Sequence, residues 1–144
     1  MIDGLSKEEK LALLELMGCL AHADGRIDDI ERELLADYAE LFNIQLADVT
    51  CPCDTKNLDS MVAQFQNPES RVIVLQELLR VAHLDGFFNN DEKSLIMHVA
   101  TLMGVPPDFL DRIDKWVLDG IEWMIQGEEL LDSATTEIRL PPEA

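Results

Sequence analysis

Asp24, Asp28 and Glu31 cluster within "AHADGRIDDIERELL" (21–35), and Asp85, Asn89 and Glu92 recur at the same spacing within "AHLDGFFNNDEKSLI" (82–96). Carboxylate and amide oxygens gathered at one turn can hold a hard divalent cation, with water completing the shell. The residues do not fix which ion. His22 and His83 immediately precede the two clusters and are lesser candidates, since imidazole would favour a softer metal. A structural account of the same residues is equally concrete. Asp28-x-x-Glu31 and Asn89-x-x-Glu92 are capping boxes by type, and negative charge at a helix N-terminus stabilises it without any metal. Asp24 can accept hydrogen bonds from turn amides, and a helix-end histidine more often takes a backbone or carboxylate partner than a metal.

The Asp-Gly pairs invite comparison with a calcium-binding EF-hand, which needs oxygen ligands at loop positions 1, 3 and 5, Gly at 6 and Glu at 12. With Gly25 at position 6, Asp24 and Glu31 fit, but positions 1 and 3 fall on Leu20 and His22. In the second stretch they fall on Val81 and His83. Two ligand positions are lost in both copies, so a tight EF-hand site is not expected.

Cys51-Pro52-Cys53 could contribute to a zinc or copper site only if two further ligands converged, and no second cysteine pair or nearby histidine appears. The three cysteines, Cys19 among them, are an odd number with one inside an apolar helical run, which is unlike a secreted disulfide framework. Reduced loop thiols are expected at Cys51 and Cys53, with a disulfide or redox role as the alternative. No nucleophile elbow, phosphate-binding glycine loop, His-Glu-x-x-His or dinucleotide fingerprint is present, so no enzyme is expected.

The elements that must position the two acidic elbows repeat with them. Ala21 and Ala82 stand 61 positions apart, and at that offset residues 13–44 share nine of 32 identities with 74–105. Unrelated chains of ordinary composition would share about two. The offset marks an internal duplication of one supersecondary unit, two helices around a tight turn. Ser6-Lys7-Glu8-Glu9 is a capping box opening a helix that is apolar nearly all round from Leu11 to Ala23. Asn67 and Pro68 open its counterpart, with Pro68 at the first helical position. Gly25 and Gly86 stand where a helix ends in a left-handed residue. Beyond each elbow, Leu34, Leu35, Tyr38 and Leu41, and then Leu95, Ile96, Val99 and Leu102, keep the spacing of one buried helical face.

A loop is expected over Thr50 to Asn57 and a short helix over 58–65. After Pro106-Pro107 an amphipathic segment carrying Phe109, Leu110, Ile113, Trp116, Val117, Ile121 and Met124 should pack across the core. Gly127 to Ala144 reads as a fraying end followed by a tail. The expected fold is all-α: a single-domain helical bundle over 1–131, built from a duplicated helix-turn-helix unit (about 7–44 and 68–105) with pseudo-twofold symmetry. A C-terminal helix over 107–131 and an acidic flexible tail over 132–144 complete it.

With 11 basic and 29 acidic residues the 144-residue chain carries a net charge of −18. That field repels nucleic acid and anionic lipid and attracts cations and basic protein surfaces. No apolar run approaches the ~18–20 residues needed to span a bilayer, and the N-terminus lacks the regions of a signal peptide. The chain reads as cytoplasmic, peripheral to the inner membrane only through a partner. A protein partner, basic or membrane-bound, is expected.

The two quoted stretches, with the continuation "MHVATLMGVPPDF" of the second, resemble the TerB-like, tellurite-resistance-associated family, a fold also found in the N-terminal region of DjlA-type co-chaperones. The resemblance covers roughly residues 7–110. It implies an all-α bundle with internal pseudo-twofold symmetry, acting as a cytoplasmic, partly membrane-associated module in chemical stress response. It further implies acidic metal ligands at Asp24, Glu31, Asp85 and Glu92. Asn89 departs from the acid at Asp28, which weakens the second site. The expected function is a non-catalytic stress-response module that binds a divalent metal through its acidic turns and docks protein partners. The alternative is a metal-independent acidic interaction scaffold.

Overall fold

The computed structural model describes residues 2–21, 29–45, 55–84 and 88–142, with the side chains of 29–31 and 55–57 excepted. Among them the chain is helical, without strands: α1 (Lys7–Ala21), α2 (Asp29–Phe42), α3 (Thr55–Ala63), α4 (Pro68–Leu84), α5 (Asn90–Leu102), α6 (Pro107–Asp132) and α7 (Ala134–Glu137). A short 3-10 turn at Ile2–Gly4 precedes α1.

The 61-residue offset recurs in the helix boundaries. α1 and α4 start that far apart, as do α2 and α5. Ser6 Oγ accepts from the Glu9 N–H at 3.1 Å while Glu9 Oε1 accepts from the Ser6 N–H at 2.9 Å, so the first cap is a complete capping box. At the equivalent place before α4, Asn67 Oδ1 accepts from the Glu69 N–H at 2.9 Å. The far ends match too. Asn43, at φ 57°, and Gly104, at φ 75°, are left-handed residues just past α2 and α5. Ile44 N–H reaches Ala39 O and Val105 N–H reaches Ala100 O, both at 2.9 Å, which is the longer hydrogen bond of a Schellman cap.

α1 is buried nearly all round because it packs against α2, α3, α4 and α5 at once. Leu13, Leu14, Leu16 and Met17 from α1 meet Val74, Leu75 and Leu78 from α4 in one core with Phe65, Ile96 and Val99. Each such side chain contributes roughly 1.5–3 kcal/mol by leaving water. α6 covers the outer side of α4 and part of α5 through Leu110, Ile113 and Val117.

Polar ties fix these helices at named points. Arg71, on α4, donates from Nε to Phe65 O at 2.7 Å and from Nη1 to Met103 O at 2.8 Å, so one guanidinium serves the carbonyl ends of both α3 and α5. The buried Tyr38 hydroxyl donates to Glu77 Oε2 at 2.5 Å and links α2 to α4. Burial and this hydrogen bond to Glu77 push the Tyr38 phenol above its usual range.

Four sequence expectations need correction. Leu41 and Leu102, expected on the buried faces of α2 and α5, stand 66% and 37% exposed near the ends of those helices. α3 begins at Thr55, so the connecting loop gives way to helix before Asn57. α6 does not fray at Gly127 but continues to Asp132, and α7 adds a helical turn within 132–144. A single glycine costs a helix only about 1 kcal/mol, and the good helix formers Glu128 to Leu131 offset it. Cys19, buried in α1, is disulfide-bonded, against the expectation from the odd cysteine count. Cys51 and Cys53 lie outside the described residues.

Candidate functional site

The second elbow is the better described. Asn89 caps α5 from an extended backbone, φ −85° and ψ 173°, and its Oδ1 accepts from the Glu92 N–H at 2.8 Å. Its Nδ2 donates to Glu92 Oε1 at 3.2 Å. Glu92 is only 3% exposed. It lines a small crevice with Met17, Leu20 and Ala21 of α1, Leu34 and Leu35 of α2, and Val81 and Ala82 of α4. The side chain that could serve a cation therefore also closes a helix cap against an apolar wall. Asp85 lies outside the described residues.

Of the first elbow, His22, Asp24 and Asp28 lie outside the described residues, and Glu31 is placed in the first turn of α2 by its backbone alone. Among the described residues no group of three His, Cys, Asp or Glu side chains could hold a metal ion. Asn89 and Glu92 by themselves fit a cap rather than a coordination shell, which needs six or more oxygens for Ca²⁺.

His83 takes a carboxylate partner, as a helix-end histidine commonly does. Its Nε2 lies 2.6 Å from Asp114 Oδ1, tying the end of α4 to α6, and its ring meets the Phe88 ring edge-on with centroids 4.6 Å apart. His98 is exposed on α5, apart from the elbows.

Two features carry no signal in the elbow motif. A cleft of about 390 Å³ between α1 and α3 is lined by Glu8, Leu11, Ala12, Glu15, Ser60, Met61 and Gln64. Partial burial raises the Glu15 carboxyl above its usual 4.5. The second is the far half of α6, where Trp123, Leu130 and Leu131 stand exposed. The apolar spacing of α6 was legible, but that its far half extends past the body it covers was not.

The family described as Tellurite resistance protein TerB matches residues 54–115, a stretch that holds α3, α4, the second elbow, α5 and the start of α6. Residues 54–115 are TerB-like. The cap at Asn89 and Glu92, the Arg71 tie and the left-handed Gly104 all fall within this TerB-like segment. No curated protein and no solved structure matches the chain. No helix among the described residues is long and apolar enough to cross a membrane.

Proposed function

We propose that the chain is a non-catalytic stress-response module of the tellurite-resistance kind, which docks a protein partner and takes a divalent cation at its acidic elbows. The observation that carries this reading is the TerB-like stretch itself, which includes the second elbow. In this reading one ancestral hairpin was duplicated, and its two descendants are related by a pseudo-twofold axis. The cation sits first on Asp24, Asp28 and Glu31, where all three positions are acidic, and more weakly on Asp85, Asn89 and Glu92. A net charge of −18 supplies the attraction for a cation and for a basic protein surface. The module works in the cytoplasm and reaches the membrane through its partner.

Calorimetric titration with Ca²⁺, Mg²⁺, Mn²⁺ and Zn²⁺ tests the cation. Wild type should bind one of them below millimolar concentration, and Glu31→Gln with Glu92→Gln should weaken that binding. Because Glu92 is buried, Asp24→Asn with Asp85→Asn gives a second variant that leaves both N-cap pairs in place. Binding confined to millimolar concentration and above ends the cation reading. The metal-independent acidic scaffold would then stand. One observation already favours that second reading: Glu92 is committed to the Asn89 cap and sealed from water.

A further inference from the structure

α6 outruns the body it packs on. Leu110, Val117, Met124 and Leu131 recur every seven residues on one helical face. Leu110 and Val117 are buried, Val117 to 4% exposure, whereas Met124 is exposed and Leu131 is 77% exposed. A neighbouring series, Phe109, Trp116, Trp123 and Leu130, is uncovered throughout, with Trp123 at 74% and Leu130 at 75% exposure. Gly120 and Gly127 run between the two series, and a methyl group built on either would meet nothing within 4 Å.

At roughly 100° per residue, Trp123 and Leu130 form one apolar ridge, Met124 and Leu131 form another, and the two glycines are the floor between them. Glycine inside a helix is destabilising relative to alanine, and none of the described neighbours requires it here. A shallow groove with a glycine floor lets another helix approach closely. Among the described residues that follow α6, Ile138 and Leu140 do not fill it, being themselves exposed.

Charge decides the occupant. Between Lys115 and Arg139 every charged residue is acidic: Asp119, Glu122, Glu128, Glu129, Asp132 and Glu137. Pairing two copies would set these acids against each other on chains that each carry −18. An anionic lipid surface meets the same repulsion. We propose that this groove seats an amphipathic helix of another protein, apolar on one face and edged with Lys and Arg. This deepens the docking part of the function proposed above and rests on it.

The test uses the full chain with a chelator present and two labelled helical peptides that share one Leu/Ala face. One peptide is flanked by Lys, the other by Glu. Fluorescence anisotropy should show the Lys-flanked peptide binding at least about tenfold more tightly, with affinity falling as salt rises. Trp123→Ala, and Gly127→Leu, which fills the floor, should each weaken it by about tenfold or more. Gly127→Leu should not lower the thermal midpoint, so lost binding cannot be lost folding. Equal binding of both peptides, or binding indifferent to Gly127→Leu, overturns the proposal. So does sedimentation showing a wild-type dimer that Gly127→Leu dissociates, since the occupant would then be a second copy. Absence of divalent ions keeps this outcome separate from the elbows: peptide binding can fail while calorimetric cation binding persists, and the reverse.

Discussion

Glu9 and Glu15 lie on the same helix, yet their surroundings move their carboxyls in opposite directions. At Glu9 partial burial is the largest single influence and acts upward. The Ser6 N–H and the Ser70 and Ser6 hydroxyls together outweigh it and leave the carboxyl below 4.5. At Glu15 burial acts alone and leaves the carboxyl above 4.5. Glu9 therefore contributes stability that is present above the unfolded-state value of 4.5 and is lost as pH falls through its lowered folded value. Glu15 does the reverse: the folded state is favoured below 4.5, and that advantage is lost as pH rises through its raised folded value. Glu15→Gln should consequently raise the thermal midpoint at neutral pH and make no difference well below 4.5, and Glu9→Gln should lower it at neutral pH. Melting curves across pH check both signs. Ser6 and Glu9 were legible in sequence because a capping box is local. Arg71 to Met103, Tyr38 to Glu77 and His83 to Asp114 were not, because partners more than thirty positions apart leave no periodic trace.

The two left-handed helix ends make a matched pair at the scale of the element. Gly104 meets φ 75° at no steric cost, while Asn43 holds φ 57° as one of the few side-chain-bearing residues that tolerate it. Gly104→Ala should cost about 1–2 kcal/mol, and Asn43→Gly should change stability by no more than about 0.5 kcal/mol. Urea unfolding of the two variants measures the contrast. Helix starts and offsets were largely readable: Pro68 opens α4, and the 61-residue spacing recurs at Asn43 and Gly104. That the far half of α6 lies uncovered was not readable. Apolar periodicity says which face of a helix is oily, but nothing about whether another element lies opposite. Leu110 and Leu131 look alike in sequence, and only one of them is buried.

At the scale of the whole molecule, the two proposed tasks fall to two separate places. In the functions proposed above, the acidic elbows would take a small cation and the projecting half of α6 a basic helix. The strong negative field assists both without being specific to either. The two places differ in exposure, Glu92 at 3% and Trp123 at 74%, and the burial of Glu92 is what favours the metal-independent reading at the second elbow. A buried carboxylate can meet at most a small ion, whereas an exposed indole offers contact area. Residue-resolved NMR of the full chain, titrated first with a divalent cation and then with the Lys-flanked peptide, tests this division most directly. The expected result is that the cation, below millimolar concentration, moves the amides of Asp24, Asp28 and Glu31 first, those of Asn89 and Glu92 more weakly, and leaves 120–131 in place. The peptide should then move 120–131 and leave the elbow unchanged. Cation and peptide shifting the same residues, or neither site responding, would contradict it.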